Sequence, residues 1–340
     1  VVNFKLPVFS GEGGVRNPVA GAEVVDASVT RDLVEIGPYW RGQLRTEGSK
    51  ITWMPGLRAD YFNVTNELLP APRLALRYEW DESLKLNPST GIYHQPPEPS
   101  ETSPVYGNPD VKSPYAIHYV AGFEKDLRES RTDGWIVSTN LFYKNFQRLV
   151  VRSSKLVERD GVLVAENYNN EGRGRAYGSE LMLKYEGKPL SGWLSYTLSK
   201  SLRHEPGADE HDFQYDQTHN LNLVTQYESS NNWKYSSRVR YVTGNPKTPV
   251  VGANFDADND VFVPVRGPLY STRLEPFFQV DLRIDKKWVY DTWILWGYLD
   301  IQNMTNSKSS EGIRYSYDYS QSKTVTGLPL FPTIGVKGEF

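Results

Sequence analysis

Thr333 to Phe340 (TIGVKGEF) ends the chain. Ile334, Val336 and Phe340 share one parity, and Thr333, Lys337 and Glu339 share the other, so the segment reads as a strand with one apolar and one polar face. The same two-residue period recurs upstream. In Ser179–Tyr185, Leu181, Leu183 and Tyr185 oppose Glu180 and Lys184. Leu194, Tyr196 and Leu198 oppose Ser195, Thr197 and Ser199; Leu221, Leu223 and Tyr227 oppose Asn220, Asn222 and Gln226. Trp233, Tyr235, Val239 and Tyr241 oppose Lys234, Ser236, Arg238 and Arg240; Phe278, Val280, Leu282 and Ile284 oppose Gln279, Asp281, Arg283 and Asp285.

Further strands are predicted near Tyr39–Thr46, Ile51–Phe62, Pro72–Trp80, Leu84–Gln95, Tyr115–Lys125 and Trp135–Val150, with a first one at Asn3–Val8. The total is about 14 strands. Short joins (TEGS, WDES, DLRESRTDG, EGKPL, ESSNN, KKWVYDT) alternate with long ones around Ser10–Pro38, Pro96–Pro114, Ser153–Gly174, His204–Tyr215, Asn245–Glu275 and Ser307–Pro329. Asn63–Ala71 takes a long-loop position at intermediate length. A soluble sandwich does not sort loop lengths by end, whereas a transmembrane β-barrel does, with tight periplasmic turns and long outer loops. The fold class expected is therefore an all-β transmembrane antiparallel barrel, without a domain boundary over residues 1–340.

Composition agrees. No stretch approaches the roughly 18 apolar residues of a membrane-spanning helix, a test that barrels escape because only alternate residues meet lipid. The chain has 22 Tyr and 9 Trp, which suits aromatic girdles. A net charge of −3 gives no reason to expect a nucleic-acid partner. The absence of cysteine excludes disulfides and thiolate metal sites. The opening VVNFKLPVFSGEGG carries no secretory signal, so the chain reads as mature or as a piece of something longer.

Several stretches together resemble the C-terminal part of a TonB-dependent outer-membrane receptor: PRLALRYEWDESLKLNPSTGIYHQPP, NYNNEGRGRAYGSELMLKYE, SGWLSYTLSKS, FQYDQTHNLNLVTQY, YVTGNPKTPV, FFQVDLRIDKKW, YLDIQNMTN and GLPLFPTIGVKGEF. The resemblance implies part of a plugged barrel of about 22 strands in the Gram-negative outer membrane. It implies uptake of a scarce nutrient, siderophore-like or another small ligand, driven by the TonB system through a plug domain that this chain does not carry. It implies no cofactor. An unpaired strand edge is costly in lipid, so either these strands close on themselves or a missing N-terminal part or second polypeptide completes the wall. The alternatives are a self-closing porin-like channel and an outer-membrane barrel enzyme. Against the enzyme, no G-x-S-x-G elbow and no H-E-x-x-H occurs.

Candidate site residues follow from the pattern. Arg238, Arg240, Asp281, Arg283 and Asp300 face the polar side, where they either guide a ligand through the lumen or form ion-pair ladders; the ladder is the favoured reading. Asp256, Asp258 and Asp260 alternate like the start of a calcium loop, but the central Gly and closing Glu are missing, so a solvated turn is favoured. His204, Glu205, Asp209, Glu210, His211 and Asp212 crowd one outer loop without metal-ligand spacing. His118 falls on a polar face, and His219 on an apolar one at a strand end near the membrane interface. Phe340, in phase with Ile334 and Val336, resembles the terminal aromatic signal that the barrel-assembly machinery reads.

Overall fold

The computed structural model describes residues 2–9, 24–31, 33–104, 106–159 and 161–340, the first two stretches as backbone only. Its main element is one antiparallel sheet of sixteen strand segments. Two crossings are each broken in two and one segment, His211–Asp212, belongs to a loop, so the sheet makes thirteen crossings. We number them β1 (Glu35–Ile36 and Tyr39–Arg41), β2 (Ile51–Phe62), β3 (Glu67–Glu79), β4 (Leu84–Leu86 and Ser89–His94), β5 (Tyr115–Ser130), β6 (Asp133–Arg159) and β7 (Val162–Glu186). They continue as β8 (Leu190–His204), β9 (His219–Glu228), β10 (Trp233–Val242), β11 (Phe277–Val289), β12 (Ile294–Gln302) and β13 (Phe331–Glu339). Each pairs with its chain neighbour, so the sheet is a single meander. Among the described residues β1 and β13 do not pair with each other.

Register places the apolar positions in continuous rows. Leu183 lies opposite Val137 and Leu194; Leu194 lies opposite Leu223, Leu223 opposite Val239, and Val239 opposite Val280. This row is half-buried, and other side chains of the same face are more open: Leu141 is 60% exposed, Leu198 41% and Ile284 36%. Among the described residues the buried apolar side chains are few, Phe62, Ala71, Val111 and Ala116 with Pro97 and Pro246, whereas Thr52, Asp60, Asp281 and Asp285 are buried polar ones. In water such a chain would lack a core and expose far more apolar surface than soluble proteins tolerate. In a bilayer the same arrangement buries the apolar rows against lipid tails.

Aromatic side chains bound this band. At the tight-turn end, Trp135 packs on Tyr185 at 4.9 Å between ring centroids, Tyr227 on Tyr235 at 6.4 Å, and Tyr290 on Trp293 at 4.6 Å. At the other end, Tyr119 meets Tyr143 at 6.5 Å, Tyr143 is opposite Tyr177 in register, and the Tyr196 hydroxyl meets Nδ1 of His219 at 2.8 Å. Tyr177 and Tyr185 stand eight residues apart on β7, about 26 Å along a strand, which matches an apolar band about 25 Å tall.

The structure corrects four expected boundaries. Asn3–Val8 is no barrel strand: Val2–Phe9 pairs with Val24–Arg31 in a separate hairpin, so the main sheet has thirteen crossings and the expected loop Ser10–Pro38 contains a strand, with residues 10–23 outside the described stretches. Asn63–Ala71 shrinks to a tight turn, because Asn66 takes a positive φ of 51° and Glu67 already pairs with Phe62. Ser153–Gly174 is paired strand rather than loop; β6 and β7 stay in register past the girdle to Arg159 and Val162, with bulges at Leu149, Val151 and Leu156. Bulges shift the side-chain parity, which hides the strand from a strict two-residue test. The turn DLRESRTDG is also tighter than expected, since β5 runs to Ser130 and β6 starts at Asp133.

Candidate ligand site at the outer mouth

All the long connections emerge at one end of the sheet, opposite Phe340. Three of them are held in place by specific side chains. The loop between β4 and β5 is clipped to the β6–β7 hairpin: Asn108 Nδ2 donates to the Tyr168 carbonyl at 2.6 Å and Arg159 donates to Asn108 Oδ1 at 2.6 Å. Asn170 repeats the device, accepting from the Lys112 N–H at 2.6 Å and donating to its carbonyl at 2.8 Å. The loops after β8 and β10 are joined by Asp216, which is 1% exposed. Its carboxylate accepts from the Ser201 N–H at 2.5 Å and from Arg273 at 2.5 Å, while Arg273 also reaches Asp212 at 2.7 Å and Lys200 reaches Asp212 at 2.5 Å. A buried carboxylate is tolerable only with such a set of donors.

Between these loops lies an open recess of ≈ 400 Å³. Arg203 lines it with its guanidinium against two rings, 4.5 Å from the Phe146 centroid and 4.0 Å from the Phe213 centroid. His211 is 9% exposed and lies against Tyr270, with 5.4 Å between ring centroids; its Nδ1 meets the Asp212 carbonyl at 3.0 Å, and its Nε2 has no hydrogen-bond partner. Tyr270 holds a positive φ of 50°, a strained conformation for a bulky residue. Burial pushes its hydroxyl pKa up, helped by Glu205 and Tyr215. On the facing loop, burial raises the Glu101 carboxyl pKa despite the bond it accepts from the Glu98 N–H at 2.7 Å.

The residues singled out from sequence are distributed differently. In the polar face, Arg238 binds Asp281 at 2.6 Å, Arg283 binds Asp285 at 2.7 Å and approaches Asp300 at 3.7 Å, so four of the five lumen candidates sit in cross-strand or same-strand pairs. Arg240 differs. It donates to the Gln279 side chain at 2.9 Å, stacks on Phe277 at 5.0 Å, and leaves Nε buried without a partner. His118 stacks on Tyr93 with 4.3 Å between ring centroids. Asp256 accepts from the Asp258 N–H at 3.1 Å and the Asn259 side chain at 2.9 Å, while the Asp260 carbonyl accepts from the Tyr317 hydroxyl; the segment is the turn of a loop hairpin, Val250–Asp256 with Val261–Arg266. The acidic outer loop is divided among cations, with Glu210 on Arg175 at 2.7 Å and Asp212 on Lys200 and Arg273. Phe340 stacks on Trp293, 6.0 Å between centroids and 12° between planes, and completes the aromatic row of that end.

Sequence reasoning missed Arg203, Asp216, Tyr270 and Arg273. Asp216 lies within the quoted FQYDQTHN stretch, but Arg273 is 57 residues away, and no period links them.

The family model for TonB dependent receptor-like β-barrels matches residues 6–304. The chain belongs to this family. It is thus an outer-membrane barrel of the Gram-negative type, and its apolar rows face lipid. Solved structures share the fold. The ferric-catecholate import receptor Fiu of E. coli K12 matches with a TM-score of 0.66 at 14% identity, over 94% of this chain and 46% of that one. The outer membrane transporter YddB of Escherichia coli gives 0.66 at 12% identity, over 92% and 46%. The ferripyoverdine receptor of Pseudomonas aeruginosa gives 0.63 at 11%, over 89% and 38%. The chain therefore spans less than half the length of these three proteins. A comparison with curated protein sequences finds no match.

Proposed function

We propose that this barrel takes up a scarce nutrient by TonB-dependent transport, capturing a siderophore-like or other small ligand at the outer recess. The family match over residues 6–304 carries the reading. In this reading residues 1–340 are the C-terminal portion of an outer-membrane barrel, with the hairpin of Val2–Phe9 and Val24–Arg31 apart from its main sheet. A plug and the remaining wall come from an N-terminal part or a second polypeptide, which pairs with the free edges of β1 and β13. The energetic ground is the cost of several kcal/mol for each backbone group left bare in lipid. The plug couples the barrel to TonB, and the barrel-assembly machinery reads Phe340. Arg240 lies on the ligand's path, and the paired residues Arg238, Asp281, Arg283 and Asp300 stiffen the wall. Asp256, Asp258 and Asp260 serve as turn residues and hold no metal. The chain performs no catalysis.

The test is uptake of ferric citrate, a ferric catecholate and ferripyoverdine by iron-starved cells producing the protein. Uptake of one of them, abolished when TonB is deleted, is the expected result. Uptake that persists without TonB, together with ion conductance by the chain alone in a planar bilayer, would replace the receptor with a porin-like channel.

A further inference from the structure

The outer recess holds opposite charges that do not meet. Arg203 and Arg173, on β8 and β7, line one part of it; Glu98 and Glu101, on the loop before β5, line another. Among the described residues none of these four forms an ion pair. Glu98 is the one charged neighbour that acts on the Glu101 carboxyl. Elsewhere in the same crown several charges do pair, as in Arg273–Asp216, Lys200–Asp212 and Arg175–Glu210. In this cavity, by contrast, these charges of both signs line one space without pairing.

Arg203 is also restricted in what it can bind. Its guanidinium carbon lies 4.5 Å from the Phe146 ring centroid and 4.0 Å from the Phe213 centroid, and Nη1 is committed to the Leu202 carbonyl at 2.9 Å and Ser201 Oγ at 3.2 Å. The edge carrying Nε and Nη2 is left for a planar pair of oxyanion atoms. The carboxylates of Glu98 and Glu101 suit an ammonium or guanidinium. The buried Nε2 of His211, 3.7 Å from Glu205 and without a hydrogen-bond partner, supplies a further polar contact in the same cavity. A volume of ≈ 400 Å³ lies within the range of small-ligand sites, about 300–1,000 Å³.

We propose that the recess takes a dipolar, peptide-like ligand, with a planar carboxylate held by Arg203 and a cationic group held by Glu98 and Glu101. This rests on the receptor reading for its biological use, but the binding chemistry stands apart from TonB. A ligand entering this slot replaces water around both charged walls without leaving either wall unpaired, which a simple anion or simple cation cannot do.

Outer-membrane vesicles carrying the protein, compared with vesicles lacking it, test the idea with radiolabelled trialanine as the probe. N-acetyl-trialanine has lost the cation and trialanine amide the anion; unlabelled trialanine is the reference competitor. Each blocked form is expected to compete at least about tenfold more weakly than trialanine, since a charge-assisted contact is lost. Arg203→Gln should abolish the discrimination against trialanine amide and keep that against the acetylated form. A Glu98→Gln, Glu101→Gln double variant should do the reverse. Both variants should keep the heat-modifiable electrophoretic shift of a folded barrel. Equal competition by all three peptides, or no saturable trialanine binding, overturns the proposal. Competition by N-acetyl-trialanine as strong as by trialanine also overturns it, in favour of a plain anion site. Loss of TonB-dependent uptake with peptide discrimination intact would count against the transport reading alone.

Discussion

In the membrane band a residue's neighbours are set by register; in the outer crown they are set by charge. The row Leu183–Leu194–Leu223–Val239–Val280 crosses five strands, each contact dictated by the one before. The crown contact between Asp216 and Arg273 spans 57 residues and depends on two loops of unequal length. The band tolerates exchange among apolar residues because lipid is forgiving of shape. The crown tolerates little exchange at Asp216, whose burial leaves no water to replace a lost donor.

The largest contrast expected between the two regions is topological. The chain has no cysteine, so single substitutions label without background. Asp258→Cys, in the crown, should react with a membrane-impermeant maleimide on intact cells; Asn231→Cys, in the tight turn between β9 and β10, should react only after lysis. Labelling of Asn231→Cys alone on intact cells would invert the assignment of ends.

Next in size is a charge placed in the band. Leu282, opposite Ile301 on the apolar face, should lose about 2–4 kcal/mol as Leu282→Arg near the midplane. Arg283→Leu on the polar face should lose less, about 1–3 kcal/mol, from the unpaired Asp285. Equal losses in bilayer unfolding would mean that the faces are exchanged.

In the crown, Asp216→Ala should cost about 1–3 kcal/mol locally. Its signature is faster proteolysis of the loops after β8 and β10 on intact cells, with the barrel's own unfolding midpoint almost unmoved. A drop in that midpoint as large as for Leu282→Arg would show that crown and band unfold together. The smallest effect belongs to Glu210→Gln, which breaks an exposed pair with Arg175 and should change loop protection by no more than about 0.5 kcal/mol.

These differences explain what could be read from the chain. Alternation in Ser179–Tyr185 or Phe278–Asp285 is a local property, so strands, faces and the sorting of turns were legible there. It failed where parity is broken by bulges, at Leu149 to Leu156, and where a strand pairs outside the sheet, at Val2–Phe9. Polar-face pairs such as Arg238–Asp281 were legible as candidates because register is shared by adjacent strands. The recess was not, since Arg203, Tyr270 and Glu101 come from three separate elements and no period relates them.

The clip of Asn108 and Asn170 on the β6–β7 hairpin has a kinetic consequence. A loop that must be ordered around its ligand loses conformational freedom in the binding step, and this weakens affinity and slows capture. Here the loop carrying Glu98 and Glu101 is already fastened to β7 through Tyr168, Lys112 and Asn170. Encounter with the recess then needs no closing motion on that side. For the ligand proposed above, the on-rate would then be set by diffusion and orientation, and differences among ligands would show in how long each one stays.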